Sequence, residues 1–276
     1  IVAVFIWLFF FFLKLTAYAR AITRSERRPR PQVGVGREVN TLANALHDMR
    51  KSLEGRQYAE RYIQTLTHEL KSPLAAIQGA AELLNEEMPQ IDRARFVDNI
   101  RNQTKRCEVM IHQLLELSTL EAQSYLENSH QFDLAACGRR QVSQLRSLAE
   151  SAEVTIESDI PKNLPFFGNE PLLGSAITHL LENGIQFSPK EGIVFLSATI
   201  HDDRIILSVR DQGNGIPDFA AKKAFERFYS FRSEERGKGN GLGLTFVQEV
   251  AELHQGKARI SRLEEGGTEA AMELPV

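Results

Sequence analysis

His68 is the first residue in this sequence whose surroundings suggest chemistry. It lies in Thr67-His68-Glu69-Leu70-Lys71-Ser72-Pro73, inside a helical pattern whose apolar stripe is Leu66, Leu70, Leu74, Ile77, Ala81 and Leu84. At about 100° per residue the imidazole falls roughly 160–200° around the axis from Leu66 and Leu70, on the wet side. Glu69 stands beside it. Pro73 lacks an N–H and crowds the Glu69 carbonyl, so a bend is expected one turn further on. A solvent-facing imidazole, a neighbouring carboxylate and a kink below them make a presented nucleophile. The plain alternative is a solvated histidine on a charged helix face.

Four further stretches could hold a small anionic ligand. In His179-Leu180-Leu181-Glu182-Asn183-Gly184 a helix puts His179 and Asn183 on one face at i, i+4, and the Asn183 amide oxygen is a hard donor suited to Mg²⁺. Asp211-Gln212-Gly213-Asn214-Gly215-Ile216 follows a strand. Its glycines let backbone approach a flat ligand, and a buried Asp211 carboxylate can accept from an exocyclic amine. An ordinary strand-to-loop turn is the rival reading. Phe225-Glu226-Arg227-Phe228-Tyr229 sets three aromatics into a polar stretch. Gly237-Lys238-Gly239-Asn240-Gly241-Leu242-Gly243-Leu244 opens a helix, where alternate glycines and a helix N-terminus form a phosphate cradle. Its spacing and ending fit neither a dinucleotide fingerprint nor a P-loop.

The elements that must position these residues fall into two ordinary domains, which 276 residues with 42% apolar and 25% charged side chains can build. A net charge of −3 argues against a nucleic-acid surface. Cys107 and Cys137 lie in different elements without metal-ligand spacing and read as small buried side chains in a reducing compartment. Ile1 to Leu13 is almost wholly apolar but only roughly 20 Å long as a helix, so residues 1–15 are expected to be the end of a transmembrane helix. Lys14, Arg20, Arg24, Arg27, Arg28 and Arg30 oppose only Glu26, which places that flank on the cytoplasmic side.

After a connector at Pro29, Pro31, Gly34 and Gly36, helical spacing resumes at Glu38 with Val39, Leu42, Met49 and Leu53. A long helix is expected from Arg56 to Leu84, then a turn at Met88-Pro89. The next helix has Asp92 as its N-cap and Phe96, Ile100, Cys107, Ile111 and Leu114 as its stripe. Two such helices bury too little alone and call for a second copy in a four-helix bundle. Glu121 to Gln131 reads as a polar linker. Beyond it come helices at Asp133–Glu150, Glu170–Phe187 and Gly241–Leu253, and strands at Val154–Glu157, Ile193–Ile200, Arg204–Arg210, Ala258–Ser261 and Thr268–Leu274. The pair around Asp202-Asp203 is a hairpin, and the whole implies an α/β sandwich.

Taken in order, these stretches resemble the sensor histidine kinases of two-component systems. His68 to Pro73 looks like the H box, Asn183 stands in the N box, Asp211 to Ile216 resembles G1, Phe225 to Tyr229 the F box and Gly239 to Leu244 G2. Gly267-Thr268 matches the last nucleotide-binding strand. Residues 16–55 are similar to a HAMP relay with a short connector. The resemblance implies a dimeric helical phosphotransfer domain at 56–122, a linker at 123–131 and, at 132–276, the ATPase fold shared with Hsp90, gyrase and MutL.

It further implies ATP and Mg²⁺ as ligands, with His68 as nucleophile, Glu69 orienting its ring or taking its proton, and Ser72 available to position water. Asp211 would read adenine, and Gly213, Gly215, Phe228, Lys238, Gly239, Gly241, Leu242, Gly243 and Thr268 would complete the nucleotide site under a mobile lid from Pro217 to Lys238. Asn183, joined by His179, would hold the metal. A homodimer in the bacterial inner membrane, with catalytic domains in the cytoplasm, would pass the phosphoryl group to an aspartate of a response regulator. Four positions depart from the family pattern: His179 where Asn is usual, Gly184 for Ala, Gln186 for Lys, and Ser72 for Thr or Asn. His179 and Gln186 keep open a signalling scaffold that binds nucleotide weakly. A clamp-type ATPase is the other alternative.

Overall fold

A computed structural model describes residue 64 and residues 66–123, 126–230 and 239–276. The chain divides into two compact units, 1–69 and 70–276. The expected membrane segment at 1–15, the relay at 16–55, residues 56–63 and Lys238 lie outside the described residues. Among those described, no helix is long and apolar enough to cross a membrane.

Residues 66–69 are helical, and His68 is exposed as its position opposite the leucines requires. The second unit opens with α1 (70–83), whose helical hydrogen bonding continues through Pro73. The stripe here differs from expectation. Pro73 and Ala80 are buried, whereas Leu74 is 55% exposed and Ala81 is also exposed. Spacing identifies an apolar face but not what covers it, and one copy of the chain leaves Leu74, Leu83, Val97 and Leu115 at the surface.

Helix α2 (Gln90–Ala122) starts from Pro89, and Asp92 lies in its first turn rather than capping it. Pro suits this boundary because its missing N–H would have no partner there. Met110, Leu117 and Leu120 are the most enclosed residues of α2, while Ile111, expected on the stripe, is 46% exposed.

The α/β part begins earlier than the polar composition suggests. His130 and Gln131, read as linker, belong to β1 (His130–Asp133), which pairs antiparallel with β3 (Pro165–Gly168). Both strands are four residues long, too short to show a period. Asp133 then caps α3 (Leu134–Ser151) by accepting from the Ala135 N–H at 3.0 Å. The main sheet runs β2 (Thr155–Asp159), β4 (Ile193–His201), β5 (Arg204–Arg210), β7 (Thr268–Pro275), β6 (Lys257–Arg262). Only β2 and β4 run parallel. Asp202 and Asp203 both have positive φ, 47° and 59°, as a two-residue hairpin needs.

Helix α4 (Glu170–Phe187) packs between α3 and α6 (Gly243–Leu253). Short α5 (Asp218–Ala221) lies in the segment between β5 and α6. The core consists of α4 residues such as Leu173, Ile177 and Leu181 together with Leu196, Leu207 and Met272 from the sheet, all 1% exposed or less.

One buried histidine links the two helices that matter most. His254, at the end of α6, donates from Nδ1 to the Val250 carbonyl at 2.7 Å and accepts at Nε2 from the Asn169 N–H at 3.1 Å. Asn169 is the N-cap of α4. This arrangement needs a neutral ring, and burial pushes the His254 pKa below its usual value. In the unfolded chain the ring protonates near about 6.5. The folded state therefore holds fewer protons below that point and loses stability as the pH falls from there through the folded value. The melting temperature should drop between pH 7.5 and 5.5, and His254→Gln should melt lower at pH 7.5 but with a shallower pH slope. Equal slopes for the two proteins in thermal melts would show that His254 does not set this dependence.

Candidate active site

A cavity of about 1010 Å³ opens between α4, the end of β5 and the loop before α6. It collects residues far apart in sequence: Asn183 from α4, Asp211 from β5's end, Gly215, Thr268 from β7, and Gly239, Gly241 and Gly243. Its size suits a ligand of nucleotide class.

Asp211 anchors one wall. Its Oδ1 accepts from the Gly213 N–H at 2.8 Å and from the Thr268 N–H at 3.1 Å. Burial outweighs these bonds and pushes the carboxyl above its ordinary range. The glycines here answer close contacts. A Cβ on Gly213 would sit 2.3 Å from the Phe187 carbonyl oxygen, and one on Gly267 would sit 2.0 Å from the Asp211 carbonyl oxygen. Gly213 thus builds the wall without lining the space.

The opposite wall is the glycine loop. Gly241 has φ of +67°, and its carbonyl accepts from the Phe228 N–H at 2.8 Å. A Cβ on Gly241 would meet Phe228 and Tyr229 backbone at 2.5–2.7 Å. Phe228 itself takes φ of 58°, uncommon for an aromatic, and its side chain is buried beneath the loop. Helix α6 starts at Gly243, two residues later than the spacing suggests, because Gly241 and Leu242 spend their backbone on this turn. Leu242 and Phe228 are buried supports and do not line the cavity. Of the expected lid, residues 217–230 are described, with Ala220 and Ala224 buried, and residues 231–238 lie outside the described residues.

Helix α4 approaches the sheet unusually closely. A Cβ on Gly184 would lie 2.9 Å from the Val194 side chain and 3.2 Å from that of Val209. The methyl of the alanine usual in the family would need those valines to shift. His179 is 9% exposed and lines the cavity with Asn183. Its ring meets Phe246 edge-on at 5.1 Å, and Nδ1 lies 3.5 Å from a Glu182 carboxylate oxygen. The described residues hold no group of three His, Cys, Asp or Glu able to cage a metal. The Asn183 amide oxygen is a hard donor of the kind Mg²⁺ takes, whereas the His179 imidazole is a softer one that fits this ion less well.

Some cavity residues carry no sequence signal. Lys105, Arg106, Val109 and Gln113 reach it from α2, and Gln113 Oε1 accepts a hydrogen bond from the Asn240 amide. They are ordinary residues of an amphipathic helix, and only the packing of α2 on α6 brings them there.

Residues 59–123 match the His Kinase A (phospho-acceptor) domain model, and residues 168–276 match that of the histidine kinase-, DNA gyrase B- and HSP90-like ATPases. The chain belongs to the sensor histidine kinase family. Within that family, sensor protein CreC of Escherichia coli (strain K12) is 42% identical over 262 residues, 95% of this chain and 54% of CreC. Sensor-like histidine kinase SenX3 of Mycobacterium tuberculosis (strain ATCC 25618 / H37Rv) is 30% identical over 218 residues, 78% of this chain and 53% of that protein. The chain thus spans about half the length of the curated relatives it matches. Among solved structures, ThkA in complex with response regulator protein TrrA aligns with a TM-score of 0.68 at 18% identity, over 83% of this chain and 65% of that one. Acinetobacter baumannii AdeS aligns at 0.59 and 19% identity, over 75% and 97%. Identities this low speak for the fold alone.

The glycine loop makes a direct prediction. Gly241→Ala should weaken ATP binding by about tenfold or more, because any side chain there strains φ and presses on Phe228. Calorimetric titration with ATP measures it, and an affinity equal to the parent's would show that the turn is not needed for binding.

Proposed function

We propose that this chain is the cytoplasmic part, with the end of the membrane anchor at 1–15, of a homodimeric sensor kinase that phosphorylates His68 from ATP. The observation that carries the reading is the joining of Asp211, Asn183 and the Gly239–Gly243 loop around one nucleotide-sized cavity in a chain that also presents an exposed His68. Nε2 of His68 attacks the γ-phosphorus in line, the bond to the ADP oxygen breaks, and Glu69 orients the ring or takes its proton. Asp211 accepts from the adenine amine, with Gly213 and Gly215 letting the base approach. Gly239, Gly241, Gly243 and Lys238 receive the phosphates, and Phe228, Leu242 and Thr268 hold the walls in place. Asn183, with His179 one turn before it, would hold Mg²⁺, which supplies charge neutralisation at the phosphates.

The same reading makes 16–55 a HAMP-like relay, 56–122 the dimerisation and phosphotransfer domain and 132–276 the ATP-binding domain, joined by the stretch at 123–131. Leu74, Leu83, Val97 and Leu115, exposed in one copy, support burial against a second in a four-helix bundle. The phosphoryl group then passes to an aspartate of a response regulator, and the Ser72 hydroxyl can position water to hydrolyse that aspartyl phosphate, releasing inorganic phosphate and the free carboxylate. ThkA's complex with TrrA supports a regulator as partner. The apolar start and its basic flank support the bacterial inner membrane as location.

Incubation with labelled ATP and Mg²⁺ tests the proposal. Acid-labile, base-stable label should appear on the parent and vanish in His68→Gln, with ATP affinity kept within about threefold, since Gln preserves helix propensity. Label persisting on His68→Gln would remove His68 from the mechanism. Bound ATP without label would indicate a scaffold, and free phosphate without a phosphoenzyme a clamp ATPase.

Asp211→Asn should cost roughly tenfold or more in ATP affinity, because the amide can turn a donor toward the base amine. GTP should bind the parent poorly for the same reason. Equal binding of ATP and GTP would argue that Asp211 does not read the base.

A further inference from the structure

Polyphosphate stays negatively charged even with a divalent cation bound, so its site needs positive charge nearby. The N-box position that usually supplies a lysine holds neutral Gln186, which lines the cavity beside Gly239. Among the described residues, the lysines and arginines lining this cavity are Lys105 and Arg106. Both belong to α2, the second helix of the phospho-acceptor hairpin, and not to the ATPase fold. The acids in the lining are Asp211, engaged with the Gly213 and Thr268 amides, and Glu182, beside His179.

The helix is held in register for this role. Asn240, in the middle of the glycine loop, donates to Gln113 Oε1. From Gln113, Val109 lies one turn back along the same face, and Arg106 and Lys105 about two turns back. Lys105 forms no ion pair among the described residues.

We propose that Lys105, with Arg106 beside it, is a polyphosphate-binding residue contributed by the phospho-acceptor hairpin to the nucleotide site. The inference rests on the nucleotide reading of the cavity. Its consequence is reciprocal: docking α2 on the loop raises affinity for ATP, and bound ATP favours the docked helix to the same degree. The N-box glutamine is then tolerable because the missing charge is supplied from another domain.

The test is calorimetric titration of the whole chain with Mg²⁺–ATP, Mg²⁺–ADP and adenosine. Lys105→Ala should weaken ATP binding by about three- to tenfold, the range for a partly exposed charge on an anion. The loss should be smaller for ADP and absent for adenosine, and Lys105→Arg should bind ATP like the parent. Raising the salt should shrink the difference between parent and Lys105→Ala. The inference is overturned if Lys105→Ala and Lys105→Ala/Arg106→Ala both bind ATP like the parent while Asp211→Asn loses it, which leaves the nucleotide reading standing. An equal loss for ATP and adenosine would also overturn it, since the effect would then be on the fold and not on phosphate. If the parent binds no ATP, or Asp211→Asn binds it as the parent does, the nucleotide reading falls and this inference with it.

Discussion

A buried carboxylate with two backbone donors is the constraint that shapes the ATPase fold around its site. Removing the Asp211 side chain from water raises the energy of its charged form, and the amides of Gly213 and Thr268 offset part of that cost through one oxygen. Meeting both bonds requires the chain leaving β5 to turn back at once and the start of β7 to lie against it. Only glycine fits at 213 and 267, where a methyl would overlap carbonyl oxygens of Phe187 and Asp211. Asp211, the first glycine turn and the last strand are thus one structure.

The second wall depends on how two helices are set against the sheet. Gly184 lets α4 lie closer to Val194 and Val209 than a methyl would permit, bringing Asn183 and His179 to the cavity edge. His254 then ties the end of α6 to the N-cap of α4, and Thr245 of α6 donates to the Phe225 carbonyl at 3.0 Å. The departures from the family pattern become physically coherent here. Gly184 reflects close packing, His179 fills space against Phe246, and neutral Gln186 faces a cavity whose described lining cations come from α2.

His68 belongs to the first unit of the chain and the cavity to the second. The α2 helix belongs to the same unit as the cavity, and its hydrogen bond to the glycine loop gives the helical hairpin a physical hold on the site.

The sequence by itself determined the exposure of His68 and the elements with a clear period. His68 is exposed because helical geometry puts it opposite Leu66 and Leu70. The ranges Glu170–Phe187 and Arg204–Arg210 were legible because caps and alternation act over a few neighbouring residues. Tertiary structure alone decided what depends on distant partners. The four-residue strands β1 and β3 exist through each other, and His130 and Gln131 of β1 read as linker. Asp92 fell inside its helix because Pro89 had already fixed the start. Leu74 and Ile111 stand exposed because periodicity marks an apolar face without saying what will cover it. Lys105 and Gln113 reached the cavity only through the packing of α2 on α6, a contact between residues more than a hundred positions apart that no local pattern encodes.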